Sequence, residues 1–351
     1  MSDQGNVEQA PPPVPGPMAP QANLLGGESA LRLAQDPAQQ ALGRQARHPA
    51  QIPWRGWKAV LRRSFEEMIS DRMSLAAAGC AFYATLALFP AISMLVSLYG
   101  LMFDPLSVEP QLQVVRHLLP PAAYTLLSER VHSLVSQHSA TLSAGLVVSS
   151  LITLWSAGTG TKGLLSALNV AYEEQETRSF LRFQLVAFGM TLGATLGAVL
   201  AIALLVFMPA VMSFIGVSSY QKQLLKAAGY ITLLIFVLVA LSLLYRFGPA
   251  RRRPKWHWVT PGSMAATLLW LLVSWLFSLY VGSVSSYSAM YGPLATVIGV
   301  MMWFYVTVYV VLFGAELNSE LELQTLCDST EGPPKPLGRR GAYVADHVAR
   351  R

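Results

Sequence analysis

Residues 256–315 read WHWVTPGSMAATLLWLLVSWLFSLYVGSVSSYSAMYGPLATVIGVMMWFYVTVYVVLFGA, sixty positions without one Asp, Glu, Lys or Arg. A helix needs about 20 apolar residues to cross the hydrocarbon of a bilayer, so this run holds two crossings and a connection. The connection is the seam from Ser283 to Pro293, where Ser, Tyr, Gly and Pro collect between two apolar runs. Working outward, four more windows lack charge: Met73 to Phe103, Val131 to Thr161, Phe183 to Gln221 and Ala227 to Tyr245. Each supplies one helix. The predicted spans are 75–101, 140–160, 183–209, 227–246, 260–281 and 293–315, giving an all-α, polytopic six-helix membrane bundle. The apolar runs are continuous rather than alternating, which excludes the strands of a membrane barrel.

The whole chain agrees with this reading. Of its 351 residues 53% are hydrophobic and 13% charged, against about a quarter charged in soluble domains. A soluble enzyme with one interior core, a coiled coil and a wholly disordered chain are excluded. Two cysteines, Cys80 in an apolar stretch and Cys327 in a polar one, are too few for a disulfide framework or a thiolate metal site.

Positive charge sets the orientation, because cytoplasmic loops retain Lys and Arg. Arg55, Lys58, Arg62, Arg63 and Arg72 precede the first span, Lys162, Arg178 and Arg182 join spans two and three, and Arg246, Arg251, Arg252, Arg253 and Lys255 join spans four and five. The other connections hold only Arg116, Arg130, Lys222 and Lys226. The bias predicts that both termini are cytoplasmic.

Outside the 51–325 membrane domain, residues 1–50 are rich in Pro, Ala and Gln and carry no apolar period, which predicts a disordered tail without a signal peptide. Residues 326–351 read as a polar cytoplasmic tail. Trp54 to Met73 interleaves aromatic, aliphatic and basic residues, as an interfacial helix does. Between Asp104 and Ser139, Leu112, Val115 and Leu119, then Leu127, Val131, Leu134 and Val135, recur at helical spacing around Pro120-Pro121, predicting an extracytoplasmic amphipathic hairpin.

Several residues are candidates for function. Glu316 ends the sixth span, and a carboxylate at the lipid boundary is costly unless it faces the protein and finds a partner. Lys162 and Arg246 stand at a similar depth as partners; the site is either a boundary ion pair or a place for a coupling proton or polar head group. Tyr305 and Tyr309, one turn apart, share its helix. Pro90 removes a helical hydrogen bond in mid-span, which predicts a kink. Gly189, Gly193 and Gly197 form a small-residue stripe suited to close helix packing; Gly193→Leu is expected to cost assembly. The basic cluster Arg251, Arg252, Arg253 and Lys255 would attract anionic lipid head groups, although the positive-inside bias explains it without a ligand. A homo-oligomer stays open, and no nucleic-acid partner is expected. The histidines at 48, 117, 132, 138, 257 and 347 form no ligand set with carboxylates, so no metal or other cofactor is expected. Gly158-Thr-Gly-Thr-Lys-Gly163 lacks the spacing of a phosphate loop, and no Gly-x-Ser-x-Gly elbow is present.

The stretch Arg253-Pro-Lys-Trp-His-Trp-Val-Thr-Pro-Gly262, with Leu269-Trp270, Phe277-Ser-Leu-Tyr280, Tyr291-Gly292-Pro-Leu294, Trp303-Phe-Tyr305 and Gly314-Ala-Glu-Leu-Asn318, resembles the C-terminal half of the YihY/BrkB family. The resemblance extends upstream through Asp71-Arg72, Ala76-Ala-Ala78, Phe89-Pro90 and Ala167-Leu-Asn169-Val-Ala-Tyr172, and covers about residues 55–322. Pro261 and Gly262 are among its motif positions. Pro293 departs from it, since the family more often has Ser or Thr after Tyr-Gly. The resemblance implies a bacterial inner-membrane protein with six spans and cytoplasmic termini, linked to envelope integrity and serum resistance and proposed to move lipids or small solutes. It also brings the label ribonuclease BN, which the missing metal ligands argue against. The expected activity is thus transport or flipping of a lipid or an amphipathic, anionic solute, not catalysis. The alternative is a non-transporting scaffold that stabilises envelope complexes.

Overall fold

The computed structural model describes residues 24–25, 41–102, 139–202, 204, 219–283 and 293–349. The expected hairpin at 104–138 and the seam at 284–292, with Tyr291 and Gly292, lie outside them.

Helix α1, Trp54–Ser70, begins after Pro53, whose fixed φ suits a helix start. Its buried residues Gly56, Val60, Ser64 and Met68 recur every four positions and so form one face. Asp71 caps α1 by returning its N–H to the Glu67 carbonyl. Arg72 then takes φ 52°, a left-handed conformation that breaks the helix and lets α2 start afresh.

Helix α2, Met73–Met102, runs unbroken through Pro90. Helix α3, Ser139–Ala171, outruns the predicted 140–160 and carries Lys162 inside it. It stops at Glu173, φ 55°, where Glu173 N–H bonds the Val170 carbonyl and Glu174 N–H the Asn169 carbonyl, both at 2.8 Å. That is the closure of a helix whose C′ residue is left-handed, here without the usual glycine. Helices α4, Phe180–Ile202, α5, Ser219–Phe247, and α6, Trp256–Ser283, follow.

Helix α7, Pro293–Leu323, passes the predicted end at 315 by two turns. Glu316 therefore lies within a helix and does not end it. The extension persists because its polar residues are matched: Arg63 of α1 bonds Glu320 and Gln324, and Arg251 bonds Glu322.

Neighbouring helices pack in chain order from α2 to α7, and α7 closes the ring on α2 while also touching α3. Among the described residues four helical segments, Phe180–Ala201, Gln223–Phe247, Trp256–Tyr280 and Val297–Leu323, are long and apolar enough to cross a membrane. On α4, Leu181, Leu185, Phe188, Leu192, Leu196 and Val199 form an exposed apolar stripe. A stripe of that length suits lipid and not water.

Residues 41–50 and 326–349, assigned by composition to the tails, are folded against the bundle. Arg44 is fully buried and donates to the carbonyls of Leu323, Gln324 and Ala349. Arg340 donates to those of Leu326 and Ala345, both at 2.7 Å. Buried guanidinium groups stacked with backbone acceptors order a segment that has little apolar content to do so. Leu24–Leu25 (β1) pairs antiparallel with Val348–Ala349 (β2), and the short α8, Tyr343–Asp346, precedes β2. Residues 41–52 and 324–349, α1 and the 248–255 loop thus gather at one charged end.

Candidate functional site

Three segments bring carboxylates together at the charged end. Glu67 comes from the last turn of α1, Asp71 from the turn before α2, and Glu173 from the left-handed residue that stops α3. One oxygen from each lies within 4.8 Å of the others. From α7, Glu316 comes beside Asp71 and is only 2% exposed. Its Oε1 has no hydrogen-bond partner, and neither has Glu67 Oε2. Glu320, one turn further along α7, bonds Arg63.

This arrangement is electrostatically costly as it stands. Two ionised carboxylates 4.8 Å apart repel by about 3.5 kcal/mol at an effective dielectric near 20. Burial, reinforced by the carboxylates of Asp71, Glu320 and Glu66, pushes the Glu67 carboxyl up to about 7. Burial likewise raises Glu173 to about 7, with Asp71, Glu67 and Glu320 adding to it. Asp71 rises to about 6 by burial, an effect its contact with Glu316 partly offsets. Such a cluster can hold protons near neutral pH, and its oxygens suit a hard cation.

At 100° per residue, Tyr305, Tyr309, Glu316 and Glu320 fall within about 60° of one another around α7. The stacked Tyr305 and Tyr309 rings, 6.1 Å apart, therefore lead along one face toward the cluster.

Other expected residues meet different partners. Arg246 is not Glu316's counter-ion: it donates to the Pro254 carbonyl and pairs with Glu331 at 3.1 Å. Among the described residues no ion pair joins Lys162 to Glu316. Arg251 does not face a head group, because it is fully buried against Glu322 at 2.7 Å with its guanidinium over the Tyr172 ring. Arg252 bonds the Glu331 carbonyl and Lys255 the Asp328 carbonyl, leaving Arg253 exposed over Phe247. Among the described residues the glycine stripe packs at Gly197. A Cβ on Gly197 would meet the Phe236 ring at 2.5 Å, whereas Gly189 and Gly193 have nothing within 4 Å.

The motif residues form the framework around the cluster. Gly262 and Gly314 let α6 and α7 approach until a Cβ on Gly262 would lie 2.1 Å from the Gly314 carbonyl. Pro261, inside α6, sits beside this crossing. Asn169 accepts from Ala250 N–H at 2.8 Å and donates to Glu176, tying α3 to the loop after α5.

Sequence reading missed Glu67, Asp71 and Glu173, and kept Glu316 alone. A usable signal was present: all three flank helix ends on the side that otherwise collects Arg and Lys. Proximity across 106 positions, from Glu67 to Glu173, has no sequence signature. The structure also brings His48 and His257 ring to ring at 4.3 Å, with no carboxylate or cysteine completing a metal set there among the described residues.

A helical ring with a lipid-suited surface and a polar, carboxylate-bearing end defines a multi-pass membrane protein of all-α class. Its family follows from comparison: the model of the virulence factor BrkB family matches residues 64–337, and the chain belongs to that family. A Bacillus subtilis (strain 168) protein, YfkH, whose name describes it as ribonuclease-like, is 30% identical over 246 residues, covering 69% of this chain and 87% of the relative. The UPF0761 membrane protein IL2447 of Idiomarina loihiensis is 27% identical over 283 residues, covering 78% and 95%. A UPF0761 membrane protein of Albidiferax ferrireducens is 28% identical over 275 residues, covering 77% of this chain and 63% of that longer protein. The BrkB and UPF0761 descriptions name no reaction. No solved structure matches the chain.

Proposed function

We propose that the protein is a six-span inner-membrane transporter or flippase for a lipid or an amphipathic, anionic solute, with both termini cytoplasmic and a role in envelope integrity. The observation that carries this reading is Glu316, a buried carboxyl with an unpartnered oxygen inside a cluster of like charge. A purely structural helix junction gains nothing from that repulsion, whereas a site that takes up and releases a cation or proton requires it. The Tyr305 and Tyr309 face supplies a polar approach from within the bundle. Anionic head groups would meet Arg253, the exposed member of the basic loop.

Reconstitution tests the reading. Proteoliposomes of full-length protein should translocate fluorescent anionic lipid faster than empty vesicles, and a rate equal to theirs would argue against it. A second reading, a non-transporting scaffold, is favoured by the open surface at Gly189 and Gly193, which would accept a neighbouring helix. Catalysis is not part of the proposal, and RNA hydrolysis by the purified protein would reverse that position.

A further inference from the structure

We infer that Glu67, Asp71, Glu173 and Glu316 together form a binding site for one divalent cation of the hard, oxygen-seeking kind. The inference rests on the reading above in taking this cluster as the working site, and it names what the site holds.

Geometry comes first. Oxygens bound to one Mg²⁺ or Ca²⁺ lie about 2.0 to 2.6 Å from the ion, so no two ligands are further apart than about 5 Å. The Glu67, Asp71 and Glu173 oxygens, mutually within 4.8 Å, satisfy that limit. Glu316 is the independent observation. It arrives from a different helix, is 2% exposed, comes beside Asp71 and carries an oxygen with no partner. A buried acceptor left unmatched is rare, and it calls for an ion or another donor at that point. Glu67 Oε2 is orphaned in the same way.

The donor set indicates which ion. Glu67, Asp71 and Glu173, the three groups close enough to share an ion, are carboxylates without an imidazole or thiolate among them, and Glu316 beside them is a fourth carboxylate, which favours Mg²⁺, Mn²⁺ or Ca²⁺ over zinc or copper. The neighbouring Arg63 bonds Glu320 and Gln324, so the Glu320 charge is met by an arginine and the other four carboxylates are left for the ion. Binding would fasten together α1, the α1–α2 turn, the end of α3 and α7. An ion there couples the charged end to the span that carries Tyr305 and Tyr309.

The test uses full-length protein in nanodiscs, stripped with chelator and titrated with Mn²⁺, whose free form is read by electron paramagnetic resonance. The expected result is one Mn²⁺ per chain, displaced by Mg²⁺, with Glu316→Gln and Asp71→Asn each weakening binding roughly tenfold or more. Glu173→Gln, at the half-exposed rim, serves as a third variant should the buried ones fail to fold. Gly193→Ala should bind as the parent does. Failure to retain Mn²⁺ at millimolar concentration, or unchanged affinity in the folded carboxamide variants, would overturn the inference. Lipid translocation measured on the same preparations separates the two readings. Mn²⁺ binding without translocation supports the site and removes transport; translocation without Mn²⁺ binding does the reverse.

Discussion

Asn318 on α7 holds Gly262 on α6: its Oδ1 accepts the Gly262 N–H at 2.8 Å while its Nδ2 donates to the Val259 carbonyl at 3.0 Å. The contact is fully buried at Asn318, and it lies beside the crossing at which Gly314 and Gly262 meet. One side chain thus satisfies both ends of a carboxamide across two spans, half a turn from Glu316. Asn318→Ala leaves the Gly262 N–H and a carbonyl lone pair without this partner. A loss of about 1 to 3 kcal/mol is expected, read as a lowered thermal midpoint in detergent. An unchanged midpoint would mean that the bonds contribute nothing net.

Glycine positions separate real packing from sequence pattern. Gly314→Ala places a methyl 2.5 Å from the Tyr245 hydroxyl and 2.7 Å from the Gly262 carbonyl, which should cost about 1 to 3 kcal/mol by overpacking. Gly193→Ala meets nothing within 4 Å and should be neutral or slightly stabilising through better helix propensity. Thermal unfolding of the pair checks both. Destabilisation by Gly193→Ala would place a neighbour on that face and favour the scaffold reading.

The Arg251–Glu322 pair, with both side chains fully buried, is a third target. Ser329 also donates to Glu322, at 2.6 Å. Glu322→Ala strands a buried guanidinium, so a loss of about 3 to 5 kcal/mol is expected, together with easier proteolysis of the 324–349 segment. Replacing both partners by apolar residues should recover part of that loss. If Glu322→Ala alone keeps the parent's midpoint, the pair is not a structural lock.

Acidity should stabilise the charged end. Glu67, Asp71 and Glu173 titrate near 7, 6 and 7 when folded, against about 4 in an unfolded chain. Between those limits the folded state binds more protons, so stability falls as pH rises from about 4 toward 7. Melting midpoints of the metal-stripped protein should decline across that window. The slope should flatten in Glu67→Gln, and a rising midpoint would contradict the assignment.

How much was legible follows from range. The helices were readable because the bilayer requires long uncharged runs, a requirement local to each segment. The crossing of α6 on α7 was half legible, since the Pro261-Gly262 and Gly314 to Asn318 motifs stood out without showing that they meet. The packing of residues 41–50 and 326–349 was hidden because Arg44 and Arg340 order them through backbone carbonyls, and composition counts those arginines as solvent-facing. Arg251 is buried likewise, against the Glu322 carboxylate. The glycine stripe has the spacing for packing, and among the described residues Gly197 alone of the three meets a neighbour within 4 Å. At the carboxylate cluster, Glu316 was visible as a charge at a span's end. Its companions were hidden because left-handed breaks at Arg72 and Glu173, residues that ordinarily avoid that conformation, steer them inward.

The central claim is that the Glu316 cluster is where this membrane protein works. The most direct measurement is the translocation rate of Glu316→Gln against the parent in matched proteoliposomes, with folding and orientation verified in both. The account predicts a folded variant whose rate falls to that of empty vesicles. A folded Glu316→Gln protein moving lipid at the parent's rate would contradict it.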